Sequence, residues 1–502
     1  MMTIYVNAEV FDHAVLHSSA KWTFQAVSSL VEELKMACPN RTVTKSKWLD
    51  LACSRLSISE ANAYWSVFIA TKGFILGQLG DWIDLQTLAI LLLCQCFPNA
   101  RARAGSFHRS EVLAQTLAAT VVTTHSPANS PMNRASPNRN GLLNLAKLLR
   151  DNSVIMSFIS DNLSFLVNLV ALNLTPDDDF DVHAEQVDKL GVLLCAPGGN
   201  GSLSSHLLSR GTQSIKASAL VPLLGTEITW NDTIFPQFDL TTPSQQILRT
   251  SETRGSDSLY ILNHNRGTIL RTYQDAPNTS NMYIVNCSDT SVYIGGSVRN
   301  VYIAGCIDCE IVLMAVTGSC VVNHSDKVIV RTVTASLRLE NSTDSHAFVF
   351  TGRGVVLTGD TRGIVLAPFN VTSSTHESVL SAKTGIYPDS SHATLWAQPI
   401  SATLNESPYM LLSPEKLRLI SFPELVNTAH RKHVVCLPQV YADAVFRKQT
   451  QLQDLRNEIL SISDESNVTK INSIIAGHFR DWITSHNRAR TIVDIIKQAQ
   501  SG

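Results

Sequence analysis

Arg338 stands apart among the residues equipped for chemistry. It is the single long cation in "TVTASLRLENSTDS" (Thr332 to Ser345), a run that is otherwise small, apolar, hydroxyl-bearing or acidic. A guanidinium there is either a solvated stem lying over its neighbours with its head in water, or the residue with which the protein meets a partner. Cys306 and Cys309 form a C-x-x-C with Cys287 and His324 nearby in sequence. A zinc site needs four convergent ligands, and no second C-x-x-C is present, so no metal is expected. The aspartates of "TPDDDFDVH" (Thr175 to His183) read as a solvated charge run. The glycines of "APGGNGSLSS" (Ala196 to Ser205) lack the Lys-Ser/Thr of a phosphate loop and read as a linker. Nucleotide-binding, hydrolase-elbow and zinc-protease signatures are missing from the sequence, so neither a cofactor nor an intrinsic catalytic site is expected.

The elements that must position Arg338 come from an internal repeat. Stacking "YIVNCSD", "YIAGCID", "CVVNHSD", "LRLENSTD" and "VVLTGDT" puts Cys287, Cys306, His324, Ser342 and Asp360 in one column, with spacings of 19, 18, 18 and 18 residues. Short strands repeating near 20 residues indicate a coiled parallel sheet in which equivalent residues form ladders about 4.8 Å apart. Met282, Val301, Ser319, Leu337 and Val355 then share one column, and Ile284, Ile303, Val321, Leu339 and Leu357 another. Both are mostly aliphatic and are expected inside. The column between them, Tyr283, Tyr302, Cys320, Arg338 and Val356, must face outward by strand alternation. This pattern predicts an exposed Arg338 beside two tyrosines.

The remainder is helical. From Ala20 to about Leu174 apolar residues recur at three and four positions, as Phe24, Val27, Val31 and Leu34 do. The basic, Ser/Pro/Asn-rich segment Thr124 to Gly141 interrupts this pattern and reads as a disordered loop near 122–141. Near the end, Leu437 to Ile462 and Thr469 to Gln498 each carry an apolar stripe, and the economical arrangement is an αα-hairpin in which the two cover each other. The expected domains are therefore 1–195, mainly helical; 196–244, a linker; 245–389, the β-helix; and 390–502, ending in two helices.

The 502 residues are 44% hydrophobic and 16% charged, with 40 basic against 42 acidic side chains. So balanced a charge leaves no large net field for nucleic acid or an anionic membrane, and a protein partner recognised by local surface is expected. The apolar runs, such as Leu85 to Phe97, are shorter than the roughly 20 residues that cross a bilayer. With no signal-like N-terminus and ten scattered cysteines, a cytoplasmic protein with reduced thiols is expected.

The stretch "VYIAGCIDCEIVLMAVTGSCVVNHSDKVIV", followed by "SLRLENSTDS" and closing with "IVLAPFN", resembles the domain of the tubulin-binding cofactor C family. "IYVNAEVF" near the start and "HFRDWITSHNRART" near the end resemble the flanks of a family member associated with centrosomes, basal bodies and organelle positioning. The resemblance implies a right-handed parallel β-helix of the TBCC/C-CAP kind and a cytoskeletal role, at a centrosome, spindle pole or basal body. It also implies partners such as tubulin, an Arf-like small GTPase or centrosomal proteins. Members that activate GTPases insert an arginine preceded by two glutamines and a hydrophobic residue. Arg338 occupies that position after Leu337, but Ala335 and Ser336 replace the glutamines, and Leu357 replaces a later glutamate. Gln245 and Gln246 lie at the start of the domain, away from the repeat. A non-enzymatic scaffold is the expected function, with GTPase activation through Arg338 as an arginine finger the alternative. Tyr283, Tyr302, Arg338 and Phe369, the last from the closing "APF", are the candidate interface residues.

Overall fold

The computed structural model describes residues 3–18, 20–78, 80–97, 152–174, 179–196, 202–208, 211–232, 245–251, 257–271, 278–374, 393–423, 433, 435–462, 465–485 and 488–501. The loop expected near 122–141 lies outside them. Helices at both ends flank a central parallel β-solenoid, as expected.

The helical region opens with the strand Ile4–Val6, which pairs antiparallel with Leu194–Cys195 and parallel with Ile228–Thr229. The short helix α1 (Glu9–His13) follows. Then come α2 (Phe24–Ala37), the strand Thr42–Thr44 and α3 (Lys45–Ala52), followed by α4 (Ile58–Leu76), the strand Trp82–Asp84 and α5 (Leu85–Cys94). Local chemistry sets the ends: Ser57 and Glu60 form a reciprocal capping box on α4, Gly77 closes it at φ 64°, and Asp84 caps α5. The two strands pair antiparallel through Val43 and Ile83. The same plan recurs where Asp181–His183 pairs with Ser214–Lys216, each strand leading into a helix, Ala184–Lys189 and Ala217–Glu227.

Two helix–loop–helix units bridged by a short antiparallel ladder are the arrangement of paired EF-hands. The closing calcium ligand is not there. Four residues past each strand centre, where a bidentate glutamate would close the loop, stand Lys47, Thr87, Gln186 and Ala219. In the α4–α5 loop the ammonium of buried Lys72 donates to the carbonyls of Gly80 (3.0 Å) and Trp82 (2.6 Å). It also lies 4.5 Å from the Trp82 ring centroid. A fixed side-chain cation thus gathers carbonyls that a metal would otherwise gather.

Leu203–Leu207 and Ala217–Glu227, expected within a linker, are helices of this region: Leu203, Leu207, Leu220 and Leu224 are buried in its core. Among the described residues no single helix is long and apolar enough to cross a membrane.

The solenoid makes about five turns between residues 258 and 368. One sheet stacks Asp257–Leu262, Asn278–Val285 and the later halves of the long strands Ser288–Ala304, Glu310–Asn323 and Ile329–Glu340, then Val355–Gly359 and Ile400–Thr403. The other stacks Asn265–Arg271, the earlier halves of those long strands, His346–Thr351, Ile364–Pro368 and Tyr409–Leu411. Two corner ladders carry left-handed residues on successive turns, Asn263, Asn286, Gly305, His324, Asn341 and Gly359 on one, and Arg266, Asp289, Asp308, Lys327, Asp344 and Gly363 on the other. Asn, Asp and Gly tolerate this conformation best, which is why they punctuate the repeat.

The register differs from the uniform stacking at one turn. Bridges join Ser288, Ile307, Asp326, Thr343 and Arg362, giving spacings of 19, 19, 17 and 19 residues. Cys320, not Ser319, therefore aligns with Val301 and Leu337, and Val322, not Val321, aligns with Ile303 and Leu339. Val321 takes the outward place between Tyr302 and Arg338, and Cys320 points inward. The cause is a corner of variable length beside Gly318, where an added Cβ would lie 2.7 Å from the Arg299 carbonyl oxygen.

Beyond the solenoid, the helix Gln439–Ser461 seats Tyr441 and Ala444 on its last turns, with Tyr441 donating to the Leu412 carbonyl at 2.5 Å. The helices Glu465–Ser485 and Arg488–Ser501 follow. The mutual cover expected of a hairpin is not made: Leu452 and Leu455 on one helix, and Ile475, Phe479 and Trp482 on the next, are exposed.

Candidate functional site

Strand alternation places two ladders on the outer face of the first sheet. One runs Tyr260, Tyr283, Tyr302, Val321, Arg338, Val356; the other runs Leu262, Val285, Ala304, Asn323, Glu340, Thr358. Parallel stacking brings the first three rings together. Tyr260 and Tyr283 stack with centroids 4.9 Å apart and planes 10° from parallel, and Tyr302 lies 6.3 Å from Tyr283. The outward direction expected for Tyr283, Tyr302 and Arg338 is correct, but their exposure is not.

All four candidate interface residues are buried. The helical region folds across the face, and Arg338 is only 3% exposed. Its Nη1 donates to the carbonyls of His13 (3.0 Å) and Val15 (2.8 Å), and its Nη2 to that of Asp12 (2.9 Å). These acceptors lie at the C-terminal end of α1, whose last carbonyls lack helical partners. A cation there also meets the negative end of the helix dipole. Arg338 therefore caps a helix 323 or more residues away in sequence.

Glu340, two residues on and fully buried, accepts an ion pair from Arg338 Nη2 at 3.2 Å through its Oε2. Its Oε1 accepts from the main-chain N–H of His17 at 3.0 Å and also meets His17 Nδ1. Burial alone would raise this carboxyl, but the charges of His17 and Arg338 outweigh it and hold the group at about 2. Other contacts complete the seam. Asn281 Nδ2 donates to Glu9, Asn300 Nδ2 donates to Asn281 Oδ1 at 3.1 Å, and the His13 ring lies edge-on to Tyr302 at 6.5 Å. Burial, reinforced by the nearby Asp12, pushes the Tyr302 phenol well above its ordinary range.

Phe369 is covered from the other side. It packs with Phe422 and Val435, and its carbonyl meets His433 Nε2 at 2.8 Å. Both flanks of the solenoid thus lie on residues expected to be free.

The cysteines are corner residues. Cys306 donates to the Ile284 carbonyl at 3.5 Å and Cys309 to that of Ile307 at 3.3 Å. Hydrogen bonding within the thiol cluster and burial raise both well above the ordinary thiol range. Among the described residues no group of three or more His, Cys, Asp or Glu side chains is arranged to hold a metal.

Solenoid, corner ladders and arginine position converge on one comparison. Residues 279–397 match the family model for tubulin binding cofactor C. This stretch is a TBCC domain. A search of curated proteins gives no match to the chain. The family is one of tubulin-folding cofactors, and the TBCC domain supports a tubulin-binding-cofactor-like role with tubulin-related protein binding. In this chain, Asp257–Leu262 and Asn265–Arg271 extend the solenoid ahead of the matched residues, Gln246–Ser251 pairs antiparallel on the first of them, and Ile400–Thr403 and Tyr409–Leu411 add parallel strands beyond.

Sequence reasoning missed Glu340, Tyr260 and the whole α1 side of the site. Alternation from Arg338 would have put Glu340 on the same face. Nothing in the sequence ties His17 to it.

Proposed function

We propose that the chain is a non-enzymatic, cytoskeleton-associated scaffold resembling TBCC domain-containing protein 1. In this reading it acts in the cytoplasm at centrosomes, spindle poles or basal bodies, in positioning organelles such as the Golgi and nucleus. One observation carries the non-enzymatic part: the guanidinium at the arginine-finger position is engaged by three carbonyls and a carboxylate of its own chain. A finger works by reaching a transferring phosphoryl group, with an effect of about 10³ to 10⁵ in rate. An arginine capping α1 does not reach one. The absence of glutamines at Ala335 and Ser336, and of a glutamate at Leu357, further supports this reading.

The test is GTP hydrolysis by purified tubulin, and separately by Arf-like GTPases, with substoichiometric amounts of the full chain. No acceleration is expected. Acceleration that disappears in Arg338→Lys, with the fold retained, would establish the alternative, a GTPase-activating protein that must first uncover Arg338. Proximity labelling in cells tests the location, with centrosomal and basal-body proteins the expected neighbours.

A further inference from the structure

The seam over the Arg338 face has two halves of different chemistry. Near the last turns, Val356 and Ala402 join the apolar core of the helical region, with Ile400 packed against it and Ser59 Oγ bonded to the Ser401 carbonyl. Nearer the middle of the sheet the contact is polar. Glu9, Asp12, His13 and His17 from the α1 side face Asn281, Tyr302, His324, Arg338 and Glu340 from the solenoid.

We propose that Glu9 to His17 form an intramolecular latch that occupies this face in place of a protein partner. The latch displays what such a partner must offer: a helix C-terminus whose carbonyls accept from Arg338, and an adjoining hydrogen-bond donor for Glu340. The proposal rests on reading the ladder face as the partner surface of the TBCC domain.

Three features make the contact releasable. Main-chain carbonyls and a histidine are groups that water or another protein replaces in kind, whereas buried apolar area has no such substitute. Satisfaction is also incomplete, since among the described residues Arg338 Nε has no hydrogen-bond partner and Glu340 Oε2 has the ion pair alone. Taking these charges out of water carries a desolvation cost that offsets much of their attraction, and opening the contact to solvent recovers part of it. Finally, the His17 side chain is 35% exposed, so solvent already reaches the rim. Phe11 packs on Phe97 and Phe158, so the latch moves with the helical region, pivoting about the apolar half of the seam.

Hydrogen exchange of the His17 amide, whose N–H is bonded to Glu340 across the seam, and labelling of Arg338 by the arginine reagent phenylglyoxal, read the latch directly in the full chain. His17→Ala is expected to speed both about tenfold, the effect of losing roughly one charge-assisted hydrogen bond. His17→Glu, which faces Glu340 with like charge, is expected to exceed it. The proposal is overturned if the His17 amide exchanges no faster than the amides of Leu337 and Leu339, and Arg338 is labelled no faster in either variant than in wild type. That result would make the seam permanent. A tubulin arm separates the two readings. Capture of purified tubulin is expected to rise in His17→Glu and fall when Glu9→Cys and Asn281→Cys are cross-linked. Unchanged capture alongside accelerated labelling would sink the tubulin-facing reading and leave the latch standing.

Discussion

At the scale of the residue, Arg338 is a helix cap and an ion-pair partner inside its own chain. Removing one member of a buried pair leaves the other charge stranded, which typically costs about 3–5 kcal/mol. Arg338→Ala should therefore lower the stability of the full chain by that order, read as a fall in the urea midpoint. A solvated surface arginine would give almost no change. Glu340 supplies the pH dependence. Its carboxyl is held at about 2, below the ordinary 4.5, so its contribution is complete above about pH 4.5 and is lost as pH falls through about 2. The sum is on the order of 3 kcal/mol. Urea midpoints at pH 5, 4 and 3 should fall steeply in wild type. In Glu340→Gln they should start lower and fall less across the same window.

At the scale of the element, a side-chain cation holds the loop between α4 and α5. Lys72 donates to two loop carbonyls and stacks over Trp82. Lys72→Met keeps much of the apolar stem but leaves both carbonyls short of a donor, an expected loss of about 1–3 kcal/mol. Differential scanning calorimetry should show that loss as a lower midpoint. Addition of calcium or of chelator should leave the wild-type midpoint where it is. In the solenoid, the regular corners were legible because most of them carry Asn, Asp or Gly. The irregular turn was not, because its length depends on how closely Gly318 approaches Asn300 and Arg299, a contact between neighbouring turns.

At the scale of the whole molecule, the TBCC domain is clasped from both ends, by the helical region over Tyr302 and Arg338 and by the segment around Phe422 and His433 over Phe369. Val356 belongs at once to a solenoid strand and to the helical core. It should couple the two in unfolding. Val356→Glu places an unpaired charge in that junction, with an expected cost of about 3 kcal/mol or more. In calorimetry the variant should separate the helical and solenoid transitions, or move the helical one down first. A single unchanged transition would show that the junction does not couple them.

The sequence alone determined the helical flanks, the coiled parallel sheet and the outward direction of Arg338. All three follow from periodicity, and periodicity is local: apolar residues at three and four positions, turns near 20 residues, and alternation along a strand. It also carried the family resemblance that residues 279–397 bear out. The tertiary structure decided what lies over the outer face. Whether an outward side chain meets water or another part of the chain depends on a contact between Arg338 and carbonyls more than 320 residues earlier. Main-chain carbonyls are the same whatever the side chain, so the α1 acceptors left no mark in the sequence by which their donor could be found.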